Sequence, residues 1–424
     1  MSQFLQKIKL AFKDADLRKK ILFVLLILVI FRIAAVIPIP GIDADRLAAF
    51  LKGNQFFGLL NVFSGGALSN LSVVMLGVGP YITATIIMQL LTMIFPRLKE
   101  IYQEEGEAGR RKFNQISRYL TPPLAFLQGF ALLSLLERQG VIVGLSFFDR
   151  LVNVVIVTAG AIFLMWLGEL ISEYGIGNGI SLMIFAGIVS SIPMSFQQVL
   201  LDFDSTDVPL FLCFSAAALL IIAGVVIITE GQRPIPVSYA KRVRGMRVYG
   251  GISTYLPLRV NQAGVIPIIF ALSILLFPQM ITGVLAGVGG PTFQSVLTAF
   301  NNFFNNPWVY ASFYFVLVFL FTYFYTAVTF DPDAISKNLQ KSGAFVPGIR
   351  PGRPTAQYIA KIITRITLVG AVFLGLIAVL PLGMRAVTGM ASLAIGGTAL
   401  LIVVSVVLDT VKQINGQIVM REYE

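Results

Sequence analysis

The sequence predicts an all-α polytopic membrane protein of ten transmembrane helices. Three observations carry that prediction. Ten long apolar segments are nearly empty of charge, the basic residues of the loops fall almost entirely on one side, and Gly–Pro interruptions recur at matching places in the two halves. The chain has 424 residues, 56% of them hydrophobic and 12% charged. A spanning helix needs roughly 20 apolar residues. Runs of that length fall near 21–39, 71–95, 119–136, 151–172, 179–200, 209–229, 263–287, 308–329, 362–383 and 391–411. Lipid offers no hydrogen bonds, so the backbone groups must be satisfied within each segment, which predicts helices.

An even number of spans puts both termini on one side. Of the 32 Lys and Arg residues, 25 fall in the tails and loops on that side and 5 in the opposite loops; Arg32 and Arg365 lie within spans. This bias predicts cytoplasmic termini. The first span does not read as a cleavable signal, because Arg32 and Pro38-Ile39-Pro40-Gly41 follow its apolar run with no small-residue cleavage site. The predicted organisation is an amphipathic cytoplasmic segment over 1–20, an N-terminal half over 21–200, a C-terminal half over 201–411, and a cytoplasmic tail over 412–424. Within the first segment, Phe4, Leu5, Ile8, Phe12 and Leu17 alternate with basic residues, as in a helix lying in the interface. Most of the net charge of +11 is ordinary positive-inside bias. The cytoplasmic loops at about 230–262 and 330–361 are long enough to suggest a function of their own.

Missing residues exclude several chemistries. There is no His, which removes His metal sites and Ser–His hydrolases. Cys213 is the only Cys and lies in an apolar span, so neither a disulfide nor a Cys-pair metal site forms. No P-loop sequence occurs. No cofactor and no catalytic residue is expected. Arg32 is the one charge well inside a span, and an intramembrane charge is retained only for a purpose. Ion-coupled pumps keep several such groups as relays, so their scarcity favours a conduit without its own energy source. A small-solute transporter is the runner-up reading; an intramembrane protease fails for want of His and of paired intramembrane Asp.

The lead-in to the second span, Phe63-Ser64-Gly65-Gly66-Ala67-Leu68-Ser69-Asn70, is small, polar and uncharged. It is either a re-entrant half-helix, tolerated only inside protein or along a cavity, or a plain external loop. Gly77-Val78-Gly79-Pro80-Tyr81-Ile82 and Gly264-Val265-Ile266-Pro267-Ile268-Ile269 share the pattern G-V-x-P-x-I. Each lies in the second span of its five-span half, which suggests an inverted internal duplication around a central site.

Taken together, these stretches resemble the SecY family, the channel subunit of the bacterial Sec translocon. Beyond those already quoted, the resemblance rests on Gln89-Leu90-Leu91, Gly106-Glu107-Ala108-Gly109-Arg110-Arg111-Lys112, Gly175-Ile176-Gly177-Asn178-Gly179-Ile180-Ser181, Tyr239-Ala240-Lys241-Arg242, and Lys341 through Gly352. It covers essentially the whole chain. It implies two inverted pseudo-symmetric five-helix halves around a central pore, with a re-entrant plug helix at about 61–72. The plug residues would be Ser64, Gly65, Gly66, Ala67, Leu68, Ser69 and Asn70. The pore ring would be Val78, Ile82, Ile184, Ile188, Ile269 and Ile402; Val78 stands where Ile is the family's usual residue. Branched aliphatic side chains suit such a collar, since they make no fixed hydrogen-bond demands and block ions by dewetting.

A lateral gate between spans 2–3 and 7–8 is implied, with Thr85, Gln89 and Asn261 along it. We expect Gln89 and Asn261 to latch it weakly, as uncharged polar pairs do. Arg242, Arg244 and Arg247 in one loop, with Lys341, Arg350 and Arg353 in the other, would dock the ATPase SecA or the ribosome, through ribosomal RNA and exit-tunnel proteins. The match around Gly245-Met246-Arg247 is only partial. Further implied partners are SecE, SecG, signal peptides and nascent chains, membrane lipids, YidC and SecDF. The implied location is the bacterial inner membrane.

Overall fold

The computed structural model describes residues 14–40, 61, 64–103, 105–138, 140–142, 146–201, 208–239, 242–244, 247–249, 253–285, 295, 306–388 and 396–422. Residues 1–13 of the amphipathic segment, and the apolar flank at 56–63 apart from Asn61, lie outside these. Each of the ten apolar segments holds a helix: α1 (Ala15–Ala34), α2 (Gly79–Ile94), α4 (Gly106–Arg138), α5 (Phe147–Tyr174), α6 (Gly179–Leu201), α7 (Val208–Glu230), α8 (Ile266–Leu285), α9 (Pro307–Thr329), α11 (Arg353–Thr388) and α12 (Gly396–Glu422). Two shorter polar helices, α3 (Pro96–Gln103) and α10 (Pro332–Lys341), lie between them. Five described helices are long and apolar enough to cross a membrane, and a sixth if the bent pair α2–α3 is counted as one span. The apolar stretches Gly179–Pro193, Ser215–Glu230 and Ile266–Leu275 are shorter than that.

Local chemistry sets several helix ends. Asn306 accepts a hydrogen bond from the Trp308 amide at 3.1 Å, with Pro307 at the first helical position of α9. Asp331 caps α10 in the same way, accepting from Asp333 N and Ala334 N. The Ser146 amide at the start of α5 donates to the Asp149 carboxylate. Between α2 and α3 the chain bends by 117°. Pro96 explains the bend: it pushes Phe95 to an extended backbone (φ −106°, ψ 107°) and ends α2 there.

The predicted spans understate several helices. α4 starts at Gly106 and α11 at Arg353, well before their apolar stretches. These polar extensions carry helix beyond any hydrophobic slab. Outward-facing Leu22, Leu25 and Leu26 of α1 and Leu219, Leu220 and Ile227 of α7 leave a wide apolar surface. In water such a surface would be costly; in a bilayer it is the expected exterior.

Among the described residues, both long loops carry regular strands. β1 (Gln232–Tyr239), β4 (Ser253–Arg259) and β5 (Ala344–Phe345) form one antiparallel sheet in the order β4-β1-β5. Its register pairs Ile235 with Leu256 and Ser238 with Phe345, so strands from different loops share a ladder. β2 (Arg242–Arg244) and β3 (Arg247–Tyr249) make a separate hairpin. β5 reaches only Ser238 and Tyr239. Pro234 and Pro236 therefore meet an open edge, the place where a strand tolerates proline.

Two hydrophobic clusters follow from this arrangement. The larger joins buried side chains from α1, α2, α4, α5, α6, α7, α8, α9, α11 and α12. The smaller packs Ile235, Leu258 and Val346 of the loops against Ile359, Ile362 and Ile363 of α11. The loops thus form a platform with its own core, seated on the polar end of α11.

Candidate functional site

All six ring residues sit in or against the larger cluster. Val78, Ile184, Ile188, Ile269 and Ile402 are buried within it, and Ile82 packs against it half-buried. They come from the turn before α2, then α2, α6, α8 and α12, and so from both halves of the chain. On α6 the two expected ring positions are four residues apart, about one helical turn, so they share a face.

A cavity of about 750 Å³ is lined by three of the expected ring positions, Ile82, Ile184 and Ile269. These three form its floor, and its walls include Thr85, Gln89, Asn178, Phe270 and Tyr325. Arg111, Arg118, Glu169 and Glu173 stand at its mouth. Arg118 of α4 donates to the Glu169 carboxylate of α5, pairing two charges beside the apolar floor. A second pair, Arg150 with Glu137 at 2.6 Å, joins the same two helices at their other ends.

Ala67, Leu68, Leu71, Val74 and Met75 are buried in the same cluster as the expected ring positions. The expected re-entrant helix is not formed by the described residues 64–78, which make successive turns. Gly65 and Gly66 adopt φ of 71° and 78°, and Leu71 has φ 38°. Two consecutive left-handed glycines do not continue a right-handed helix. Asn61 holds the turns by accepting from the Gly66 amide at its carbonyl and from the Ser69 amide at its side chain. Ser64 Oγ accepts from the Leu68 amide. Ala67, Leu68 and Leu71 are fully buried in the cluster that contains the ring, whereas Ser69 and Asn70 are exposed. A Cβ placed on Gly65 would lie 2.9 Å from the Gly187 Cα, next to Ile188. Three of the expected ring positions, Ile82, Ile184 and Ile269, thus line the cavity, and the turns of 64–72 pack into the same cluster beside Gly187.

The segment after α1 supports these turns. The Ile39 amide donates to the Leu71 carbonyl and the Val73 amide to the Ile37 carbonyl, around a Pro38–Ser72 bridge. The sequence reading singled out both stretches but gave no sign that they pair.

The gate residues are brought near the cavity but not to each other. Thr85 and Gln89 line it from α2, and α8 packs against both α2 and α4. Thr85 Oγ1 donates to its own helix at the Tyr81 carbonyl. Asn261 donates to Gly264 O at 3.2 Å, and its Oδ1 and Gln89 Oε1 have no partner among the described residues. The expected Gln89–Asn261 hydrogen bond is thus absent from this arrangement; Asn261 instead closes the turn that leads into α8. A cross-helix bond does form nearby, from Gln128 of α4 to Thr83 of α2.

Among the docking residues, Arg350 is exposed in the turn before α11, between Gly348 (φ 81°) and Gly352 (φ 94°). Thr355 Oγ1 donates to the Arg350 carbonyl and Ser336 Oγ to the Gly352 carbonyl, which fixes the turn backbone. Lys341 ends α10 and Arg353 begins α11, both exposed. Arg242, Arg244 and Arg247 belong to the β2–β3 hairpin, with Arg244 opposite Arg247; their side chains lie outside the described residues.

Comparison with known proteins places this geometry. The SecY family model matches residues 72–411. The protein translocase subunit SecY of Mycobacterium bovis is 46% identical over 432 residues, covering 97% of each chain. That of Corynebacterium glutamicum is 44% identical over 435 residues, covering 98% of each. Among solved structures, a protein-conducting channel superposes with a TM-score of 0.65 at 19% identity, over 93% of this chain and 91% of that one. A SecY chain whose plug domain stabilises the closed state of the translocation channel and maintains a membrane seal gives 0.63 at the same identity and coverage. Sec61 in the canine ribosome–channel complex from the endoplasmic reticulum gives 0.61, again with that identity and coverage.

Proposed function

The chain belongs to the SecY family, and from that premise we propose how its geometry would conduct protein. It is a protein-conducting channel subunit and not itself an enzyme. In our reading, ten helices in two inverted halves cross the bacterial inner membrane with both termini in the cytoplasm. Unfolded secretory polypeptide enters the cavity, displaces the turns of 64–72 and passes through Val78, Ile82, Ile184, Ile188, Ile269 and Ile402. Signal sequences and transmembrane segments leave sideways between α2–α4 and α8–α9, past Thr85 and Gln89.

One observation carries this reading: Ile82, Ile184 and Ile269 line one cavity from three helices, and Val78, Ile188 and Ile402 are buried in the cluster that also holds Ala67, Leu68 and Leu71. Such a collar asks nothing specific of a passing side chain, and its dry contacts oppose ion flow while it is closed. The exposed arginines of the platform suit partners rich in phosphate or carboxylate, since a guanidinium binds either bidentately. SecA and the ribosome are those partners in this proposal, and the Sec61–ribosome complex gives the second a precedent. SecE and SecG would complete the channel, with YidC and SecDF as accessory partners.

The test is crosslinking of an arrested secretory chain to cysteines introduced at positions 82, 188, 269 and 402, with Cys213 replaced. Contact at all four is expected. A stalled substrate that touched none of them would refute the assignment of the ring.

A further inference from the structure

Arg32 is the charge that a channel of this kind has least reason to keep in a span. It lies in the last turn of α1, half-buried, directly after the buried Phe31. Its one hydrogen bond among the described residues goes from Nη1 to the Gly65 carbonyl, at 2.5 Å. No carboxylate partner is found for it among those residues. The acceptor is informative. Gly65 is pinched between α1 and α6: an added Cβ would meet Phe31 Cζ and Gly187 Cα, each at 2.9 Å. Gly187 adjoins Ile188 of the ring. Nearby, Asn70 Nδ2 donates to the Ala35 carbonyl at 3.3 Å. The end of α1 therefore grips both ends of the 65–70 turn, and Arg32 supplies the one charged contact of that grip.

We propose that Arg32 is a positioning residue that clamps the 65–70 turn onto α6 beside Ile188, so that the seal opens only when this bond breaks. The inference rests on the channel reading above. A charge in an apolar span is costly when unpaired, and a hydrogen bond from a charged donor is stronger than one from a neutral donor. Both effects favour the seated turn. Release would leave Arg32 seeking water, which an open, hydrated path provides.

The experiment measures small-ion leak through the full-length chain, reconstituted with its channel partners in liposomes. Arg32→Gln should raise the leak about tenfold, as expected for the loss of one charge-assisted hydrogen bond. Arg32→Lys, which keeps a charged donor, should recover part of the seal. Deletion of residues 65–70 should leak strongly on its own, and adding Arg32→Gln to the deletion should change nothing further. Equal increments in both backgrounds, or no leak from Arg32→Gln, would overturn the inference. If Arg32→Gln alone fails to accumulate, the deletion background decides. There the turn is gone, so the double variant should accumulate as the deletion does, and failure to do so also overturns the clamp. A deletion that leaks no more than the unaltered protein would instead sink the channel reading itself.

Discussion

Ile188 in the ring and Ile235 in the platform are 2% and 1% exposed, yet their surroundings differ. Around Ile188 the contacts are mainly between aliphatic side chains carried by separate helices. Around Ile235 the neighbours are fixed by a backbone ladder whose partners differ in sequence position by more than a hundred residues at Ser238–Phe345. Dispersion and apolar burial are non-directional, so helices can move apart and re-form such contacts in another arrangement. A ladder of directional hydrogen bonds has one register, and losing it leaves unpaired backbone groups. In the channel reading proposed above, equal burial thus serves a part that must yield and a part that holds its shape.

The strongest test of that difference acts on the platform. Arg350→Glu reverses a charge on a rigid turn without touching either core. We expect it to abolish SecA-driven transport into inverted membrane vesicles while the chain still accumulates in the membrane. Normal transport by this variant would remove Arg350 from the docking surface.

A paired truncation sharpens the comparison. Ile235→Ala should cost about 2–4 kcal/mol of local stability, the usual penalty for emptying a fixed core position. It should appear as faster hydrogen exchange over 232–239 and 253–259 with the ion seal intact. Ile188→Ala should do the reverse, raising ion leak with little change in platform exchange. If both variants loosened the same segments, the two regions would be one cooperative unit and the contrast would fail.

The smallest effect is expected at the gate. Replacing both Gln89 and Asn261 with Leu should shift export of substrates with weak signal sequences by only about twofold, because a polar pair across membrane helices contributes about 0.6 kcal/mol on average and these two are not bonded to each other here. A double-mutant cycle with strong coupling would show that they meet in another state of the channel.

Much of the helical layout was legible in the sequence because apolar runs near bilayer length report it directly. The ring positions came through family resemblance; their aliphatic chemistry alone did not separate them from ordinary packing residues. Other features depended on information that local patterns lack. The polar starts of α4 at Gly106 and α11 at Arg353 were hidden because hydropathy ends where helix does not. The three-stranded sheet was missed because its pairings join distant loops, and Pro234 and Pro236 look like strand breakers until the open edge is known. The stretch at about 61–72 was expected to form a re-entrant helix, yet Gly65-Gly66 favours turns, and the described residues 64–72 make turns. Polar residue types suggested the Gln89–Asn261 latch, but side-chain direction decides a hydrogen bond, and Asn261 points to Gly264.

The shared sheet also has a mechanical meaning. β1 and β4 lie within the connection from α7 to α8, while β5 belongs to the connection from α9 to α11. A load placed on the Arg350 turn is therefore not borne by one loop. It passes across the strands to Arg259, and two residues later to Asn261 at the entrance of α8. On the docking proposed above, a partner pressing on this surface would have a lever through the sheet to the entrance of α8.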